Sequence, residues 1–111
     1  MKIKREDKEE ITLLHLEGKI MGGPDAELFQ SALKDVLGEG RSRVIIDLGK
    51  VSWVNSTGLG ILIRGHSTMK QNGGELKLIG VNKRIDQIFM VTKLHTIFDS
   101  FEDEGAATAS F

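Results

Sequence analysis

Residues 44–63 constrain the fold more than any other part of the chain. The run Val44-Ile45-Ile46-Asp47-Leu48 is short and largely apolar, which is typical of a buried β-strand. Downstream, hydrophobic side chains and one histidine recur at helical spacing, at Leu59, Leu62, Ile63, His66 and Met69. Between them stand Asn55, Ser56 and Thr57, residue types that cap the free N–H groups of a helix's first turn. The segment predicts a strand–loop–helix unit with Ser56 at the helix N-terminus and its hydroxyl at the surface.

Two glycines follow this serine at the start of the predicted helix. Gly58 and Gly60 remove side chains from the first turn and a half. We therefore expect that nothing local shields Ser56 from an approaching molecule.

Strands and helices alternate along the rest of the chain. Strands are predicted at residues 1–5, 11–16, 44–48 and 75–79, with a short strand or loop at 94–98. Helices are predicted from Pro24 to the glycines at 38 and 40, from the serine motif to Asn72, after Asn82, and at 103–109. The two opening strands predict an antiparallel hairpin, and the later alternation predicts parallel pairing through right-handed crossovers. The expected fold is α/β, with a mixed, mostly parallel sheet of four or five strands and about four helices.

Composition narrows the classes of function. At 111 residues and 40% hydrophobic content the chain suits one domain, residues 1–111, with a real core. The net charge of −1 predicts no strong attraction to nucleic acid or to an anionic membrane. The chain has no cysteine, its first ten residues lack the apolar core of a signal peptide, and no run approaches the ~20 apolar residues of a membrane span. We expect a cytoplasmic protein.

No motif of a known catalytic or cofactor chemistry is present. The histidines at 15, 66 and 95 lack metal-ligand spacing, and Gly58-Leu59-Gly60 lacks both the Lys-Ser/Thr of a P-loop and the third glycine of a dinucleotide fingerprint. Val54-Asn55-Ser56-Thr57-Gly58 is not the G-x-S-x-G elbow of hydrolases. From the residues alone, Ser56 is favoured as a helix cap over a nucleophile. We predict no enzyme activity, cofactor or metal.

Trp53 is the only tryptophan, and the chain has no tyrosine. We expect Trp53 to pack beside the strand end, although tryptophan is also enriched where proteins bind one another.

The motif residues together resemble a known family. The run 44–48, Val51, and Asn55-Ser56-Thr57-Gly58-Leu59-Gly60 are similar to the signature of STAS domains, and more narrowly of bacterial anti-sigma factor antagonists. The resemblance covers nearly the whole chain. It extends to the opening hairpin, to the Gly18-Lys19-Ile20 turn, to Gly73-Gly74, and to residues 94–98.

The resemblance implies a regulator that switches partners. In such proteins the serine at the position of Ser56 is phosphorylated by an anti-sigma factor, a serine kinase with a histidine-kinase-like ATPase fold. The unphosphorylated antagonist sequesters this kinase, which frees the sigma factor, and a PP2C-type phosphatase restores the active form. The expected docking surface consists of Met21, Gly22, Gly23, Asp25, Asn55, Ser56, Thr57 and Gly58.

The chain departs from the family pattern at two positions. Asn55 stands where an aspartate usually precedes the serine, and Met21 stands where a second aspartate often follows the Gly-x-Ile turn. Both differences remove negative charge near Ser56. The alternative function is a binding module that keeps the fold without the switch, as a scaffold subunit or a lipid-transporter accessory.

Overall fold

The computed structural model describes all 111 residues and contains one five-stranded sheet, in the order β1-β2-β3-β4-β5. The strands are β1 (Lys2–Lys8), β2 (Ile11–Ile20), β3 (Arg43–Val54), β4 (Glu75–Ile79) and β5 (Asp99–Phe101). β1 pairs with β2 in the antiparallel sense, and all later neighbours are parallel. The predicted α/β fold with its opening hairpin is confirmed.

Four α-helices connect or follow these strands: α1 (Pro24–Gly38), α2 (Ser56–Gln71), α3 (Lys83–Val91) and α4 (Glu104–Ala109). Residues 94–96 form a 3₁₀ turn, and the last strand begins only at Asp99. Lys93, in the left-handed conformation with φ 60°, redirects the chain before that turn. Leu94 and Phe98 bury their side chains in the core, which holds the segment in a turn rather than a strand. None of the helices combines the length and the apolar composition that a membrane span requires.

Three strands are longer than the sequence pattern predicts. β1 reaches Lys8, β2 reaches Ile20, and β3 reaches Val54. β2 continues beyond Gly18, which adopts φ 97° beside a register shift. The extra residue at each of the two register shifts lies in β3, because the offset between paired residues of β2 and β3 increases along the strands. Such residues interrupt the two-residue alternation that marks β3 in the sequence.

The sheet carries a hydrophobic core on each face. The larger core has 21 buried residues and packs β2, β3 and β4 against α1, α2 and α3. The smaller one lies on the opposite face under α4 and consists of Ile11, Leu13, Ile45, Ile79 and Ala107. The rest of that second face carries charged and polar side chains on β1, β2 and β3.

The ends of β2 and β3 place the serine loop. Lys19 pairs with Trp53, and Ile20 pairs with Val54, so the loops that follow the two strands emerge side by side. β4 pairs with β3 only along residues 43–47. The last seven residues of β3 therefore extend past β4 and have a strand neighbour on one side only.

Candidate functional site

Ser56 is the first residue of α2, and its side chain is exposed. The helix cap is Asn55, whose side-chain Oδ1 accepts a hydrogen bond from the Gly58 amide at 2.7 Å. Asn55 has the extended backbone of a cap, whereas Ser56 is already helical, so the interpretation of Ser56 as the cap is wrong. The Ser56 hydroxyl is consequently not committed to holding the helix.

Asn55 also links the β3–α2 loop, in which it lies, to the loop between β2 and α1. Its Nδ2 donates to the Met21 carbonyl at 3.0 Å, and its backbone amide donates to the Ile20 carbonyl at 3.3 Å. An aspartate at this position could accept the bond from Gly58 but could not donate to Met21. The departure from the family pattern at position 55 therefore provides a direct link between the β3–α2 and β2–α1 loops.

Gly58 and Gly60 have different environments. Gly58 is buried, and a Cβ there would overlap the Ile20 carbonyl oxygen and lie 2.9 Å from Val54 Cγ1. A Cβ on Gly60 would meet no atom within 4 Å. Gly58 thus allows α2 to pack onto the end of β2, and only Gly60 leaves open surface beside Ser56.

Gly22 makes a second close approach to α2. It has φ 112°, and a Cβ there would lie 2.8 Å from Thr57 Cγ2. Gly23 is exposed and has open space around it. The β2–α1 loop thus lies directly against the first turn of α2.

Asp25 faces inward, with only 8% of its surface exposed. Its Oδ2 accepts a hydrogen bond from the Met21 amide at 3.2 Å, and its Oδ1 lies 3.4 Å from the amino nitrogen of Met1. Asp25 therefore positions the loop. Of the eight residues expected to dock a partner, Asp25 and Gly58 are buried, Gly22 and Asn55 are half-buried, and Met21, Gly23, Ser56 and Thr57 are exposed.

The first turn of α2 is electrostatically prepared for an anion. It contains no acidic residue. The Gly58 amide donates to Asn55 Oδ1, and the Leu59 amide donates to the Asn55 carbonyl at 2.9 Å. Neither of these acceptors on Asn55 is used by the backbone amides of Ser56 and Thr57, the first two of the helix. A phosphate carried on Ser56 would lie at the positive end of the helix dipole.

The sequence did not predict that α3 lies beside the end of β3. Asn82 caps α3 by accepting from the Ile85 amide at 2.8 Å, and its Nδ2 donates to the Val51 carbonyl at 3.1 Å. This bond anchors α3 to the extended end of β3, where the Arg84 guanidinium lies 5.5 Å from the Trp53 ring centroid. The cap was predictable, but no local pattern indicates which strand end the free amide of Asn82 reaches.

His15 lies on the second face of the sheet, between two carboxylates. Its Nδ1 is 2.7 Å from Asp47 Oδ2, and its Nε2 is 3.0 Å from Glu6 Oε1. Burial lowers the pKa of His15, but hydrogen bonds to Glu6 and Asp47 raise it by more, so the net shift is upward. No set of three or more His, Asp or Glu residues is arranged to hold a metal ion.

Comparison with known proteins identifies the family. The model of the STAS domain matches residues 2–107, and the chain belongs to that family. It is 25% identical over all 111 residues to BtrV of Bordetella bronchiseptica, 95% of which is covered and whose name provisionally describes an anti-sigma factor antagonist. It is 37% identical over 60 residues to the anti-sigma-B factor antagonist of Listeria monocytogenes, across 54% of this chain and 53% of that one.

Solved structures show the same fold. The Bacillus protein SpoIIAA in its phosphorylated form superimposes with a TM-score of 0.73 at 15% identity, covering 99% of this chain and 100% of that one. The unphosphorylated form of SpoIIAA, described as an anti-sigma factor antagonist, gives a TM-score of 0.72 at 13% identity.

Proposed function

We propose that this chain is an anti-sigma factor antagonist and that phosphorylation of Ser56 switches its partner binding. The observation that carries the proposal is the position of Ser56: an exposed hydroxyl, free of the cap, on the first residue of α2. The names of the curated relatives support the role, and the existence of a phosphorylated form of SpoIIAA supports the switch. The proposed partners are an anti-sigma factor with serine kinase activity and a PP2C-type phosphatase, and the chain itself acts in the cytoplasm without enzyme activity.

The physical basis of the switch is a charge placed at a docking surface. A phosphate adds about −1.5 to −2 charges at neutral pH. In the free protein the helix dipole and water stabilise that charge. Against a partner without a matching cation the same charge loses its hydration, which costs several kcal/mol. A loss of about 3 kcal/mol weakens binding roughly a hundredfold.

The test is a calorimetric titration against candidate anti-sigma factor kinases from the same genome. Wild type and Ser56→Ala should bind with similar affinity, while Ser56→Asp and above all the phosphorylated protein should bind at least about a hundredfold more weakly. Ser67→Asp is the matched control, because Ser67 is an exposed serine of α2 far from the first turn. It should bind as wild type does.

Incubation of the same proteins with ATP tests the second half of the proposal. Phosphate should appear on wild type and not on Ser56→Ala. Equal affinity of the phosphorylated and unphosphorylated proteins would overturn the switch, and tight binding without any phosphate transfer would favour the alternative of a non-switching STAS module.

A further inference from the structure

A shallow groove lies between the end of β3 and the outer side of α3. It has a volume of about 350 Å³ and is lined by Trp53, Arg84, Gln87, Ile88, Val91 and Thr92. Arg84, Ile88 and Val91 share one side of α3, because residues four and three apart on a helix are neighbours. Val91 is 84% exposed and the adjacent Met90 is 54% exposed, so an unusual amount of apolar surface faces solvent here.

Arg84 is the only charged residue that lines the groove. The Arg84 guanidinium stacks over the Trp53 ring and has no carboxylate partner. Every close salt bridge of the chain involves other cations. The groove thus offers an apolar floor with uncompensated positive charge at one end.

The groove adjoins the loop between β3 and α2 that leads to Ser56. Trp53 precedes Asn55 by two residues, so their Cα atoms are at most about 7 Å apart along the chain. The bond from Asn82 to the Val51 carbonyl holds α3 against the same strand end. A molecule that covers Ser56 and Met21 therefore needs little additional reach to enter the groove.

We infer that the groove binds an acidic segment of the anti-sigma factor, one that inserts an apolar side chain beside Trp53 and places a carboxylate on Arg84. This inference rests on the proposed function for the identity of the partner. Tryptophan and arginine are enriched among the few residues that dominate protein interfaces, where binding removes them from water. The groove would supply affinity from a surface that the phosphate on Ser56 does not touch.

Two substitutions test the groove, each with a matched control. Arg84→Glu should weaken binding of the unphosphorylated protein to the anti-sigma factor at least tenfold and reduce its dependence on salt. The control Lys34→Glu makes the same charge change at an exposed lysine of α1 and should bind as wild type does. Val91→Ser should weaken binding severalfold, whereas Ile97→Ser, at another exposed aliphatic residue, should not. Thermal melts establish that all four variants are folded.

The single tryptophan provides a direct probe of occupancy. Emission from Trp53 should change when the anti-sigma factor binds, measured as the difference between the complexes of wild type and Trp53→Phe. If Ser56→Asp abolishes binding while Arg84→Glu and Val91→Ser bind as wild type and Trp53 emission is unchanged, the groove inference is overturned and the proposed function stands. If no anti-sigma factor binds wild type, both are overturned.

Discussion

At the residue scale, two asparagines perform the same pair of tasks. Asn55 caps α2 and donates to the Met21 carbonyl, and Asn82 caps α3 and donates to the Val51 carbonyl. The carboxamide is suited to both bonds at once, since it has an acceptor and a donor on one planar group. Each helix is therefore fixed in position by the residue that starts it.

Replacing Asn55 should cost stability, and replacing the neighbouring serine should not. Asn55→Ala should lower the free energy of unfolding by about 1–2 kcal/mol, because a cap and a loop bond are lost. Ser56→Ala should change it by less than about 0.5 kcal/mol, since the Ser56 side chain is exposed and takes no part in the cap. Urea unfolding of the two variants measures the difference. A larger loss for Ser56→Ala would contradict the assignment of the cap.

Sequence alone could not decide which of three consecutive capping residues begins the helix. Asn55, Ser56 and Thr57 all have suitable side chains. The choice depends on where β3 ends, and that end is set by pairing with β2 up to Val54. The position of Ser56 near a helix N-terminus was thus predictable from the sequence. Which of Asn55 and Ser56 caps the helix could be decided only from the register of the sheet.

Two histidines should make opposite contributions to the pH dependence of stability. The pKa of His15 is raised in the folded state, so its contribution is fully present below about 6.5, the unfolded value, and is lost as pH rises through the raised pKa. Burial, with a smaller effect from Lys70, lowers the pKa of His66. The stability associated with neutral His66 is therefore present above about 6.5 and is lost as pH falls.

Urea unfolding at about pH 5.5 and about pH 8.5, on either side of the unfolded histidine pKa, checks these signs. The stability deficit of His15→Gln relative to wild type should be larger at the acid pH, and that of His66→Gln should be larger at the alkaline pH. Deficits that do not change with pH would show that neither ring titrates in the expected direction.

At the scale of elements, the contact between α2 and the end of β2 depends on Gly58. The helix approaches so closely that a methyl group at this position would overlap the Ile20 carbonyl. The sequence pattern located both glycines but gave no way to distinguish them, because the crowding comes from a strand 38 residues earlier in the chain. The length of β3 was underestimated for a related reason: its extra residues at the two register shifts interrupt the two-residue alternation, and the pairing with β2 that continues the strand cannot be read from one strand alone.

Alanine substitutions separate the two glycines. Gly58→Ala should destabilise the protein by about 2 kcal/mol or more, because α2 must move away from β2. Gly60→Ala should be neutral or stabilising by about 0.4–1 kcal/mol, since its surroundings are open and alanine favours the helix. Thermal unfolding of the two variants distinguishes these outcomes. Equal and small effects would show that α2 does not depend on the close approach at Gly58.

At the scale of the whole molecule, the loop that carries Ser56 and the smaller hydrophobic core lie in separate parts of the fold. The serine loop is at the carboxyl ends of β2 and β3, while the cluster around Ile45 lies under α4 on the second face of the sheet. A charge added at Ser56 should therefore act on a partner and leave the rest of the protein nearly unaltered.

Backbone amide NMR shifts of Ser56→Asp test this separation. Changes should be confined to the loop around Met21, to residues 53–60 and to the start of α3. Residues 104–109 of α4 and the strand around Ile45 should retain their wild-type shifts. Perturbation of those regions would mean that the added charge alters the global fold.

The extension of β3 beyond β4 has a consequence for how such a protein evolves. The last seven residues of β3 are bound by one strand, one asparagine and one short helix, whereas the strand's first half is enclosed by neighbours on both sides. Leu48, Val51 and Val54 of the projecting half are buried in the larger core, but Lys50, Ser52 and Trp53 are not, and mutations at these three positions change the surface offered to other molecules. After a gene duplication, each copy can therefore change its binding surface one residue at a time, while the enclosed half of β3 and the rest of the sheet keep the fold stable.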